Sequence, residues 1–169
     1  MSLPHGTEEG QWYTEKILPR HWERLAVVYV RQSTMQQVLE PQESTRLQYG
    51  LVRRAVAWGW PESRVLVIDD DLGRSGTSAE GRHGFQRLVA EVGLDHVGLI
   101  LGVEMSRLAR SSQDWHQLLE ICALFGTLIA NLDGIYDPSQ YNDRLLLGRK
   151  GTMSEAELHR LKQRLYPDT

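Results

Sequence analysis

The sequence predicts an α/β domain with a mainly parallel central sheet, helices on both of its faces and a C-terminal helix suited to assembly. Three observations carry this. Short β-branched runs alternate with longer stretches whose apolar residues recur every three or four positions, the order of repeated βα units. The first three strand-like runs contain no polar side chain beyond the Tyr29 hydroxyl, as suits strands buried on both faces. Clusters of arginine, serine and acidic residues follow the first three runs, where an open parallel sheet gathers its ligand groups.

Residues 1–24 mix charges, glycine and two prolines without a sustained period, and read as an N-terminal extension, ordered only if it docks elsewhere. Leu25 to Val30 is the first strand. Leu47, Leu51, Ala55 and Trp58 then form the apolar stripe of a helix, with Gly59 where it would stop. Val65 to Ile68 is the second strand, followed by a helix striped with Phe85, Leu88, Val89 and Val92. Val97 to Val103 is the third, and its helix carries Trp115, Leu118, Leu119 and Cys122, with Ser111 or Ser112 as N-cap and Gly126 as stop. Thr127 to Leu132 closes the series. These stripes are core, and no function is read into them.

The last segment differs in kind. Thr152-Met153-Ser154-Glu155 matches a capping box, and Leu158, Leu161 and Leu165 form a narrow stripe on a charged helix that needs a partner. Gly148 and Gly151 argue against one unbroken helix from Asn142 onward.

Composition narrows the function classes. The 169 residues suffice for one domain with a real core. A single cysteine, Cys122, excludes an intrachain disulfide and a cysteine-only zinc cage, and the six histidines show no metal-ligand spacing. With no apolar stretch long enough for a membrane helix and no signal-peptide order at the start, a cytoplasmic protein is the simplest expectation. The net charge of -3 gives no uniformly basic face, so weak, non-specific DNA binding is the most these residues predict. A local cationic pocket is compatible with it: among 19 cationic residues only Lys16, Lys150 and Lys162 are lysines. Arginine's planar fork suits phosphate, although a genome rich in Arg codons gives the same bias.

The polar clusters define the candidate chemistry. After the first strand come Arg31, Ser33 and Thr34; after the second, Asp69, Asp70, Asp71, Arg74 and Ser75, then Arg82; after the third, Glu104, Ser106, Arg107 and Arg110. A serine hydroxyl among guanidinium groups suits attack on a phosphodiester, because charge accumulates on the non-bridging oxygens. Arginine is no conventional base at neutral pH. Asp71 and Glu104 are therefore either proton acceptors or structural caps and ion-pair partners. The Gly-x-Ser-x-Gly elbow, the phosphate-binding Gly-Lys-Ser/Thr loop and the His-Glu-x-x-His helix do not occur. Gly73-Arg74-Ser75-Gly76-Thr77 is either a mobile loop or a phosphate cradle.

With these clusters in place, Leu25 to Leu165 resembles the catalytic domain of the serine recombinases, the resolvase, invertase and large serine integrase group. Tyr29-x-Arg31-x-Ser33-Thr34 is similar to the family's nucleophile motif, and Gln48 resembles its glutamine after that loop. Asp71-Leu72-Gly73-Arg74-Ser75-Gly76 and Gly81-Arg82-His83-Gly84-Phe85 resemble two further elements, and Ser106-Arg107-Leu108-Ala109-Arg110 resembles the Asp-Arg-Leu-x-Arg signature. The family usually has aspartate where this chain has Ser106.

The resemblance implies a resolvase-like catalytic domain over 25–141, and over 142–169 the truncated start of a long assembly helix, with Glu155-Ala156-Glu157-Leu158 similar to the start of the helix through which family members assemble. It also implies that Ser33 attacks double-stranded DNA to leave a 5'-phosphoserine link, with Arg31, Arg82, Arg107 and Arg110 binding the phosphate and neither metal nor other cofactor required. Tyr29, Gln48, Asp71, Ser75 and Ser106 would be supporting residues. Self-association as dimer and tetramer, a bacterial cytoplasmic setting and a downstream DNA-recognition domain absent from these residues belong to the same expectation, for an integrase, resolvase or transposase of a mobile element. Two other readings stay open: a non-catalytic DNA-associated assembly module with the recombinase fold, and an unrelated phosphate-binding α/β domain.

Overall fold

The computed structural model describes residues 15–30, 41–69, 83–103, 109, 111–131 and 134–150, without the side chains of 41–45 and 149–150. Their elements are α1 (Pro19–Trp22), β1 (Leu25–Tyr29), α2 (Pro41–Ala57), a 3-10 turn (Glu62–Arg64), β2 (Val65–Ile68), α3 (His83–Gly93), β3 (Val97–Leu101), α4 (Ser112–Phe125), β4 (Leu128–Ala130), β5 (Ile135–Tyr136) and α5 (Tyr141–Lys150). The sheet order is β2-β1-β3-β4-β5, parallel except that β5 runs antiparallel to β4. The α/β class and mainly parallel sheet expected from the sequence are thus present.

Alternation along β1 sorts the core. Val27 and Tyr29 point to one face, with Phe85, Leu88, Val92, Trp115, Leu118 and Leu147; Ala26, Val28 and Val30 point to the other, with Leu51, Ala55, Trp58 and Trp60. This division follows from the strand order. The chain moves from β1 to β2 on one side and then crosses back to β3, so two right-handed crossovers put α2 on one face and α3 on the other. Most of the predicted stripe residues are buried: Leu51 and Ala55 on α2 with Trp58 just past its end, Phe85, Leu88 and Val92 on α3, and Trp115, Leu118, Leu119 and Cys122 on α4; Leu47 and Val89 are half-buried.

Local signals end α4 as expected. Ser111 Oγ accepts a hydrogen bond from the Asp114 amide at 3.1 Å, and Gly126 stops the helix at φ 72°. The strand β5 has no counterpart in the sequence reading. Two residues are too few to show a period; they are held by pairing with β4, through Ile129 opposite Tyr136 and Ala130 opposite Ile135.

Residues 15–24, assigned from sequence to an extension, pack on the sheet itself. Among the described residues no crossover helix covers β3 and β4 on the α2 face, and this segment takes that place, with Ile17 buried in the same cluster as Leu99 and Leu128. His21 is fully enclosed: its Nδ1 accepts from the Leu18 amide at 2.8 Å and its Nε2 donates to the Gly126 carbonyl at 2.9 Å. The Trp22 indole donates to the Trp58 carbonyl and the Trp60 indole to the Arg24 carbonyl, both at 2.9 Å, which ties the segment to the end of α2.

At the other end, α5 lies against α4. Leu146 and Leu147 are buried, and the Trp115 indole donates to the Leu147 carbonyl. The capping box and leucine stripe read at 152–165 lie outside the described residues.

Candidate functional site at the carboxyl edge of the sheet

Three neighbouring strands deliver the chain to one edge. β1 lies between β2 and β3, all three are parallel, and the register sets Val28 beside both Val67 and Leu101. The ladder runs one residue further on each side of this group, with the Val30 amide bonded to the Ile68 carbonyl and the Gly102 amide to the Ala130 carbonyl, each at 3.0 Å. The strand order reverses between β1 and β3, so this edge contains the switch point at which open α/β sheets open a crevice for ligands.

Of the polar-cluster and site residues singled out from sequence, Tyr29, Gln48 and Asp69 are described. Tyr29 ends β1 with its ring buried on the α3 and α4 face, in the cluster that contains Ile68 and Phe85. Gln48 is half-buried on α2, and its Nε2 donates to Asp69 Oδ2 at 3.4 Å, a long bond between groups open to solvent. Asp69 is the first residue past β2, so this contact places the middle of α2 beside the carboxyl edge. Ala109, between the two arginines of the third motif, is buried in the same cluster as Tyr29.

Arg31, Ser33, Asp71, Ser75, Arg82, Ser106, Arg107 and Arg110 lie outside the described residues, as do Thr34, Asp70, Arg74 and Glu104. What the described frame supplies is their points of attachment: Val30, Asp69 and Val103, at the ends of three adjacent strands.

Sequence reasoning placed Asp69 in a polar cluster without assigning it a partner. Its position immediately after an apolar run marked the strand end; that Gln48 would meet it depends on how α2 folds back over the sheet.

Two described groups have clearly displaced pKa values, and neither belongs to this edge. Burial, opposed in part by the hydrogen bond to Gly126, holds His21 below the usual imidazole range, and burial pushes the Cys122 thiol upward. Among the described residues no group of histidine, cysteine and carboxylate side chains has the proximity to hold a metal ion, and no helix is long and apolar enough to cross a membrane.

Comparison with known proteins agrees with this geometry. The family described as the resolvase N-terminal domain matches residues 26–166. A curated relative from Sinorhizobium fredii (strain NBRC 101917 / NGR234), the uncharacterized protein y4bA/y4pH, is 59% identical over 150 residues, which cover 89% of this chain and 22% of the relative. The chain thus spans about a fifth of that protein's length. Among solved structures, a resolvase family site-specific recombinase from Streptococcus pneumoniae is similar with TM-score 0.54 and 26% identity, over 85% of this chain and 93% of that one. The N-terminal catalytic domain of TP901-1 integrase shares the fold with TM-score 0.50 and 21% identity, over 85% of this chain and 99% of its own.

Proposed function

The chain belongs to the resolvase N-terminal domain family, and on that premise we propose that it is the catalytic domain of a serine recombinase that cuts and rejoins double-stranded DNA through Ser33. The observation that carries the reading is the adjacency of β2, β1 and β3, whose carboxyl ends precede the three arginine- and serine-bearing motifs. Motifs separated by tens of residues in sequence are attached to one edge spanning two strand spacings, each about 4.8 Å.

In the proposed reaction Ser33 Oγ attacks a backbone phosphorus in line with the bond to the 3' oxygen. The Oγ–H proton leaves as the Oγ–P bond forms, the P–O3' bond breaks, and the leaving oxygen takes up one proton in exchange to become a 3'-hydroxyl, so the proton count is unchanged and the 5' phosphate stays on the serine. Arg31, Arg82, Arg107 and Arg110 stabilise charge on the non-bridging oxygens. After strand exchange a 3'-hydroxyl attacks the phosphoserine, restores the phosphodiester and releases Ser33. One phosphoester replaces another at each step, so no external energy source enters. The protein acts as a dimer on each site and a tetramer when two sites are joined. With a net charge of -3, this domain leaves recognition of the DNA sequence to other parts of the protein.

The test is capture of the adduct under denaturing conditions, on plasmids carrying the ends of the element that encodes the protein. A protein-linked 5' end mapped by mass spectrometry to Ser33, and absent from Ser33→Ala, is the expected result. Paired DNA sites without an adduct would overturn the catalytic reading in favour of an assembly module, and would point to Ser106 at the position where the family usually carries aspartate.

A further inference from the structure

We infer that the solvent face of α2 is a second DNA contact, a backbone-tracking surface that holds the strand leaving the carboxyl edge; the inference rests on the recombinase reading above. Arg46, Tyr49, Gly50 and Arg53 are all exposed, and at 100° per residue they share the crest opposite the buried stripe of Leu51, Ala55 and Trp58. Tyr49 is a large aromatic side chain left 62% exposed. Arg54 turns aside, its guanidinium 5.8 Å from the Trp58 ring, so Arg46 and Arg53 are the two cations on the crest between Arg46 and Ala57.

Charge selects the occupant. From Pro41 to Pro61, which covers α2 and its exit, three arginines stand against one acidic residue, Glu43, in a chain whose net charge is -3. That local excess fits a polyanion better than the surface of a second, net-acidic copy. Arg46 and Arg53 are seven residues apart, about 10 Å along the helix, which matches about three steps of axial rise along one DNA strand. A tyrosine hydroxyl between two guanidinium groups adds a neutral phosphate donor.

Gly50 is the second observation. It sits within a helix, where glycine is unfavourable, and a Cβ built on it would meet no atom within 4 Å, so packing does not require it. The missing side chain leaves a gap on the crest between Arg46 and Arg53 through which a phosphodiester can approach the backbone. The Gln48 to Asp69 contact sets this crest next to the edge where the reaction is proposed.

The test is the salt dependence of binding to a labelled non-specific duplex, read by fluorescence anisotropy for the wild-type chain, Arg46→Gln/Arg53→Gln, Arg46→Lys/Arg53→Lys and, as a control, Arg20→Gln on the exposed side of α1. Each lost phosphate contact flattens the slope of log K against log salt by about 0.9. The glutamine pair is expected to flatten it by about two, with the lysine pair and Arg20→Gln matching wild type. An unchanged slope in the glutamine pair overturns the inference, as does a wild-type chain that binds no duplex. A change confined to sedimentation of the DNA-free protein overturns it in favour of a protein interface. If wild type forms the Ser33 adduct and the slope does not move, this inference alone falls; if the slope moves and joined sites yield no adduct, the catalytic reading falls and the surface stands.

Discussion

Lys16 and Asp143 are separated by 127 residues and joined by a 2.8 Å ion pair. The ammonium also donates to the Ile135 carbonyl at 2.9 Å and lies 5.7 Å from the Tyr136 ring centre, while Asp143 Oδ2 accepts from the Asp137 amide at 2.9 Å. One lysine therefore fastens the N-terminal segment to β5 and to the first turn of α5.

Replacing that lysine tests whether the segment is part of the folded unit. The Asp143 side chain is 4% exposed and that of Lys16 25%, so Lys16→Met leaves a buried carboxylate short of a partner. The expected cost is about 1–3 kcal/mol, seen as a lower urea midpoint at constant m. A shift below about 0.5 kcal/mol would mark the pair as an ordinary surface contact.

His21 makes stability depend on pH. Its Nδ1 is occupied as an acceptor from Leu18 and burial holds its pKa below 6.5, so the folded protein carries the neutral ring. As pH falls through 6.5 the unfolded chain gains a proton that the folded one refuses. Stability from this group is therefore complete above that pH and declines below it, down to the depressed folded value. The expected difference is a shallower acid-side slope for His21→Gln than for wild type in denaturation midpoints taken between about pH 7.5 and 5.

Gly98 admits the N-terminal segment to the sheet. A Cβ there would collide with the His21 carbonyl group, which is backbone and has no side-chain freedom to yield. Gly98→Ala is expected to cost about 1–3 kcal/mol and to expose the bonds after Arg20 and Arg24 to trypsin under native conditions. Resistance equal to wild type would show that β3 and the segment separate without strain.

Gly50→Ala should act in the opposite direction. Open space around the site and a regular helix imply a gain of about 0.5–1 kcal/mol in thermal unfolding. The same variant should bind duplex DNA more weakly. Gained stability with unchanged binding would remove glycine from the account of the α2 surface.

Cys122 should be chemically silent. It is fully buried in α4 and its thiol is held far from ionisation by burial. A thiol reagent at pH 8 is expected to label it only on the unfolding timescale; labelling at the rate of an exposed thiol would require the α4 face to open in the native state.

The elements legible in the sequence are those whose cause is local. Val65–Ile68 was bounded correctly because a β-branched run flanked by polar residues has no better conformation, and the α4 stripe from Trp115 to Cys122 follows from helical periodicity alone. Ser111 and Gly126 were readable as start and stop because capping involves atoms within four residues. Of the candidate site, the motifs and the strand ends to which they attach were legible in the same way.

Local pattern was enough to define the strands β1 to β4 and the helices α2 to α4 between them, the apolar side of each, and the order of polar motifs that follow the first three strands. Long-range packing set the rest: which face each helix covers, the pairing of the two-residue β5, the meeting of Gln48 with Asp69, and the burial of Ile17 and His21 in a segment whose composition marked it as an extension. The reason is physical. A local pattern states that a side chain must leave water, whereas its partner is chosen by chain crossovers and by steric vacancies such as Gly98, which exist only once distant segments have come together.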